Sequence, residues 1–248
     1  MTSIQTQTIT DKEIWEQFVS TIPQANFLSS WLWGQFHQTL DKKVFYRGYF
    51  QDSNLIGISL VIKETAKRGN YLTIAGGPLL DWSNPKLVAH WVSDISQLSN
   101  QEECLFIRVR PQILNTLENN TLFLQHGFQP SPMHLTADLT LQLDLTQTTD
   151  QILEQMRKNT RYEVKKALKL GIEVIQSSDP DDIKEFNHHQ QILAQKHNFV
   201  PFSYDFLFNQ FQIFSQENKA VLFHSYYQQK LLASAFVIMY SQEAVYHY

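Results

Sequence analysis

The residues best placed to do chemistry lie between Gln151 and Gly171. Arg157, Arg161, Lys165 and Lys169 recur at every fourth position. On a helix they would form one cationic row with a step of about 6 Å. Guanidinium forks and ammonium points in such a row suit phosphate oxygens. The plain alternative is a solvated helix face balanced by acids elsewhere, and charge alone favours it. With Lys158 and Lys166, the stretch holds six cations against Glu154 and Glu163, in a chain whose net charge is −4. One basic element on an acidic body suits a phosphate-bearing ligand and argues against broad binding to DNA.

Other chemistry-bearing residues are easier to read as structure. His188-His189 and His197 could suggest a metal, but adjacent residues on a helix point in different directions, so surface or capping roles are expected. Cys104 is the only cysteine; it cannot form an internal disulfide, and a buried small apolar residue is its simplest reading. Gly76-Gly77-Pro78 lacks the lysine of a phosphate loop and reads as a tight turn. No Gly-x-Ser-x-Gly nucleophile and no Cys/His zinc spacing is present. The sequence therefore predicts neither a metal nor an activated serine.

These residues must be positioned by a chain of 248 residues, 43% hydrophobic and 18% charged, which is a globular composition. The longest apolar run, Leu231–Tyr240, is about half of a membrane-spanning helix. The polar N-terminus shows no signal peptide, so a cytoplasmic location is expected. Helices are predicted from Asp11, the N-cap, to Ile22, then from Trp31 to Leu40. Strands are predicted at Val44–Phe50, Leu55–Glu64 and Tyr71–Ile74, the first two joined by an Asp52-Ser53-Asn54 turn. A helix at Pro85–Leu98, a buried strand at Leu105–Val109, a short helix at Gln112–Glu118 and a strand at Leu135–Leu145 complete the first half.

The second half opens with one long helix, Gln151–Leu170, closed by Gly171. The strand Ile172–Ile175 and the helices Asp181–His197 and Tyr204–Gln216 follow, then strands at Ala220–Gln228, Leu231–Tyr240 and Ala244–Tyr248. Each half thus reads as two helices followed by antiparallel strands, a duplicated α+β unit. The expected domains are residues 1–145 and 146–248. Because the second is shorter and stops in an apolar strand, it is expected to be incomplete.

Several blocks, in order, resemble one family. Met156-Arg157-Lys158-Asn159-Thr160-Arg161-Tyr162, Lys165-Lys166-Ala167 and Gly171-Ile172 resemble the second-domain helix of the FemABX aminoacyltransferases. Phe27–Phe36, Gly76–Asp81, Arg108–Pro111, Lys196–Ser203, Leu231–Ala235 and Tyr246–Tyr248 resemble further family blocks. The resemblance implies two tandem acetyltransferase-like (GNAT-type) domains. It implies transfer of an amino acid from aminoacyl-tRNA to the stem-peptide amine of a UDP-linked or lipid-linked muropeptide precursor. The aminoacyl-tRNA is a co-substrate, no other cofactor is implied, and contact with the cytoplasmic membrane face would be peripheral.

The resemblance also implies site residues. Arg161 and Tyr162 match the family's Arg-Tyr pair, and Lys165 extends the row. Lys196 falls where members carry a phosphate-gripping arginine, and His37 where they carry a phosphate-binding lysine. Phe199 matches a family aromatic, here read as a core anchor. The catalytic Phe-Lys pair of the family has no counterpart in this sequence. Two rival readings are an acyl-CoA-dependent N-acyltransferase, weakened by the missing pyrophosphate loop, and a non-catalytic module binding precursor or tRNA.

Overall fold

The computed structural model describes residues 3–133 and 140–248. The first unit, Met1–Thr136 with Met239–Ala244, is built on a sheet that begins with β1 (Ile4–Thr8). Two helices follow, α1 (Lys12–Ser20) and α2 (Trp31–Thr39). The strands β2 (Val44–Gln51), β3 (Asn54–Ala66), β4 (Gly69–Ala75) and the short β5 (Leu79–Leu80) come next, then α3 (Pro85–Gln101), β6 (Cys104–Arg110) and α4 (Leu117–Gln125). The order across the sheet is β1-β2-β3-β4-β6, with β5 on β3. Every pairing is antiparallel except β4 with β6, which is parallel.

Local chemistry explains the boundaries. Asp11 caps α1 by accepting from the Glu13 and Ile14 amides, and Ser30 and Asn84 cap α2 and α3 in the same way. The β2–β3 loop is two residues, Asp52 and Ser53, both with positive φ, which is the geometry of a tight hairpin. β3 carries Ile58 to Ile62 without an exposed position, because the sheet is covered on both faces. Tyr49, Val61, Leu72 and Ile74 pack with Val88, Trp91 and Ile95 of α3 in one apolar cluster.

Gly34 of α2 marks a close approach: a Cβ there would collide with the Tyr46 hydroxyl and lie 2.5 Å from the ring carbon that bears it. That phenol donates to the Trp31 carbonyl at 3.0 Å and its ring stacks on Trp31 at 3.8 Å. Gly34→Ala should therefore destabilise the first unit by about 1–3 kcal/mol. Urea unfolding followed by tryptophan fluorescence measures it. An unchanged midpoint would mean that Tyr46 yields freely.

The second unit, Ala137–Ile238 with Val245–Tyr248, contains α5 (Thr149–Gln155), α6 (Lys158–Lys169), β7 (Glu173–Ser177), α7 (Ile183–His197), α8 (Tyr204–Ser215), β8 (Ala220–Tyr227), most of β9 (Lys230–Tyr240) and the end of β10 (Glu243–Tyr246). Its strand order is β10-β9-β8-β7, and β8 pairs antiparallel with both β7 and β9. Ile183, Phe186, Leu207, Phe211 and Phe214 of α7 and α8 are buried, as are Leu222, Phe236 and Ile238 of the sheet. The run β7-α7-α8-β8-β9-β10 repeats β1-α1-α2-β2-β3-β4. The duplication read from the sequence is therefore present in the topology, and the architecture is α+β.

Several expectations need correction. The N-terminal tail forms β1, a strand that was not anticipated. β6 is not buried: among the described residues it is a sheet edge, and Leu105 and Phe106 are 69% and 49% exposed. Cys104 at its start is only half-buried. The short helix begins at Leu117, where Thr116 caps it by accepting from the Asn119 amide, and not at Gln112. Residues 140–145 form no strand, and the rest of the strand expected at 135–145 lies outside the described residues. The helix expected over 151–170 is two helices, because Met156 and Arg157 are extended.

Candidate functional site

The basic stretch survives the break. A capping box between Thr148 and Gln151 starts α5. Arg157 then becomes the N-cap of α6 without contributing a side-chain cap. Arg161 reaches back across the break and donates to the Glu154 carbonyl at 3.1 Å. That bond satisfies one of the carbonyls that the end of α5 leaves unpaired. At the far end, the Gly171 amide donates to the Leu168 carbonyl and the Ile172 amide to the Ala167 carbonyl, with Gly171 at φ +76°. This double bond is a Schellman closure, and it requires the left-handed conformation glycine adopts freely.

Arg161, Tyr162 and Lys165 are thus brought together on one helix. Tyr162 is 60% exposed, and the Lys166 ammonium lies 5.9 Å from its ring centroid. Among the described residues, no carboxylate lies within ion-pair distance of Arg157, Lys158, Lys165, Lys166 or Lys169. Their ammonium and guanidinium groups are therefore not tied up in ion pairs.

Lys196 stands exposed in the last turn of α7, where a cation complements the helix C-terminus. Asn198 ends that helix in the left-handed region. Phe199 is 47% exposed, so it does not anchor the core as expected. His37 lies in the first unit and is 7% exposed. Its ring centroid is 4.7 Å from Trp33 and 5.0 Å from Phe36, and Nδ1 has no partner among the described residues. Burial, with Lys42 adding to it, pushes its pKa down to about 3. Charging it at pH 7 would cost on the order of 5 kcal/mol. It is therefore neutral, and can meet a phosphate only as an uncharged donor.

One polar cluster in the second unit was not anticipated. Buried His224 of β8 faces Ser234 of β9, with Nδ1 to Oγ at 2.8 Å. Two residues on, Tyr226 donates to the Glu185 carboxylate at 2.5 Å, which raises the phenol's pKa to about 12. Burial lowers the pKa of His224. The period-two spacing of His224 and Tyr226 was visible in the sequence, but their partners depend on strand register and helix packing. Among the described residues, no group of three or more His, Cys, Asp or Glu is placed to hold a metal ion.

The fold is one already seen. The crystal structure of FemX superposes with a TM-score of 0.74 at 17% identity, over 89% of this chain and 57% of that one. This chain thus spans little more than half the length of that relative. A probable acetyltransferase and the ribosomal-protein-alanine N-acetyltransferase of Brucella melitensis biovar Abortus 2308 match at TM-scores of 0.41 and 0.40, with 8% and 10% identity. They cover 57% and 56% of this chain, and 99% and 100% of their own. None of the curated proteins matches this sequence. The FemAB family model matches residues 9–127 and again 124–233, one segment for each copy of the repeated topology. With nearly the whole chain matched, and in a fold shared with FemX, the protein belongs to the FemAB family.

Proposed function

We propose that this chain is an aminoacyltransferase of peptidoglycan interpeptide-bridge synthesis, moving an amino acid from aminoacyl-tRNA to the stem-peptide amine of a cell-wall precursor. The observation that carries this reading is the family match over both segments. In the reaction, the precursor amine attacks the aminoacyl ester carbonyl. A C–N bond forms, the C–O bond breaks, and the tRNA 3′ hydroxyl leaves with a proton. An ester is already activated, so the protein must supply mainly positioning, proton removal and stabilisation of the oxyanion.

The residues proposed to hold the phosphorylated substrates are Arg161, Tyr162, Lys165 and Lys196, with His37 as a neutral donor. Lys196 offers a point charge where an arginine would offer a fork, so its grip on a diphosphate is less directional. Both a UDP-linked and a lipid-linked precursor carry such a diphosphate. On this reading the reaction takes place in the cytoplasm, with peripheral contact at the membrane face.

The test is incubation with a radiolabelled aminoacyl-tRNA pool and each precursor in turn, followed by separation of labelled muropeptide. Product is expected with one of the two, and Lys196→Ala should raise KM for the precursor about 10–100-fold through loss of a charged hydrogen bond. No label in either precursor would defeat the proposal. Acetyl transfer from acetyl-CoA instead would restore the acyl-CoA reading.

A further inference from the structure

Helix α6 is distinguished by what stands among its cations. At 100° per residue, Lys158, Tyr162, Lys165, Lys166 and Lys169 share one arc, with Arg161 at its edge. Val164, 37% exposed, lies nearly opposite the centre of that arc, and Leu168, 70% exposed, about 110° from it. The exposed Tyr162 ring therefore sits inside the cationic face. Lys166 approaches the ring, and most of its surface is open to solvent.

From Lys158 to Lys169 this face extends about 17 Å. A single diphosphate is far shorter than that, so a run of several phosphates is the better match. Two polyanions present such a run, a nucleic-acid strand and an anionic bilayer. A bilayer-bound helix carries a continuous stripe of large apolar residues opposite its cations, whereas opposite this arc stand Thr160, Val164 and Ala167. Here the centre of the cationic arc is an aromatic ring, which lipid headgroups cannot stack on and an unpaired base can.

We propose that this face of α6 docks the single-stranded 3′ end of an RNA. Tyr162 stacks on an unpaired base, and Lys158, Lys165 and Lys169 track the phosphates beside it. The proposal deepens the aminoacyl-tRNA reading above by assigning the donor's end to this helix, and it rests on that reading for the choice of RNA. Arg161, already bonded across the helix break, holds the row in place.

The experiment is fluorescence anisotropy of the full 248-residue chain with a labelled RNA hairpin bearing a four-nucleotide 3′ overhang. The same hairpin without the overhang and vesicles rich in phosphatidylglycerol are the comparisons. The overhang is expected to tighten binding about tenfold, and Tyr162→Ala to remove about that factor, while Tyr162→Phe keeps it. Lys165→Gln and Lys169→Gln should each flatten the slope of log K against log salt by about 0.7. These side chains are exposed, and circular dichroism verifies that each variant remains folded.

Equal affinity for the two hairpins, or an unchanged affinity in Tyr162→Ala, would overturn the stacking assignment. Vesicles competing better than RNA would overturn the choice of partner. None of these readouts requires transfer. A chain that binds the overhang through Tyr162 yet labels no muropeptide keeps this inference and loses the proposed function. Normal transfer with RNA affinity indifferent to Tyr162 does the reverse.

Discussion

Asp94→Ala is expected to lower the unfolding temperature of the first unit by about 10–20 °C. Asp94 lies on α3 and is 9% exposed. It accepts from Arg47 Nε at 3.1 Å, from a second Arg47 nitrogen, and from the Tyr49 hydroxyl at 3.1 Å. Both partners lie on β2, so the carboxylate ties helix to sheet. Tyr49 is fully buried, and burial followed by the neighbouring carboxylate holds its pKa well above 10. Removing Asp94 leaves a guanidinium and a phenol without their acceptor, and an uncompensated buried charge costs about 3–5 kcal/mol. Asp94→Asn keeps the shape and one acceptor oxygen, so it should lose less. Thermal melts by circular dichroism compare the two. An alanine variant melting within about 3 °C of the parent would mean that water reaches the pair and replaces the lost bonds.

Elements whose causes are local were legible in the sequence. Asp11 capping α1, the Asp52-Ser53 turn between β2 and β3, and Gly171 closing α6 are each decided within five or six residues. Elements decided by distant partners were not. Ile4–Thr8 holds one apolar residue followed by four polar ones, and it becomes a strand because β2 offers an edge from Arg47 to Gln51. Leu105 and Phe106 read as core because they are apolar, yet they stand on the edge strand β6.

The candidate site divides in the same way. The row from Arg157 to Lys169 follows from helical periodicity, and it survives although the helix starts at Lys158. The break before it carries neither Gly nor Pro, and the Arg161 bond to the Glu154 carbonyl is a backbone contact that no spacing rule announces. His37 reads as a donor at a helix end, but Trp33 and Phe36 enclose it. The pairing of His224 with Ser234 required the register of β8 against β9.

Acid should destabilise both units well above the pH at which carboxylates protonate. His37 in the first unit is shifted from 6.5 down to about 3, by burial and then Lys42. His247 in the second is shifted from 6.5 down to about 4, by burial alone. A depressed folded-state pKa means that the unfolded chain binds the proton first. The stability held by the neutral ring is therefore complete above pH 6.5 and is lost as pH falls toward the folded value. At pH 5 each histidine should cost on the order of 2 kcal/mol. The second ring's Nε2 lies 2.7 Å from the Gln210 side-chain amide nitrogen, a contact in which the neutral ring accepts and the charged ring cannot. Urea midpoints between pH 7.5 and pH 4.5 measure the loss. His37→Gln should flatten the profile of the first unit, reported by near-ultraviolet circular dichroism of its tryptophans, all five of which lie between Trp15 and Trp91. His247→Gln should leave that signal unchanged. If the midpoint of the parent is level from pH 7 to pH 5, His37 must be able to turn its ring to water, and a charged contact with a substrate phosphate would then be open to it.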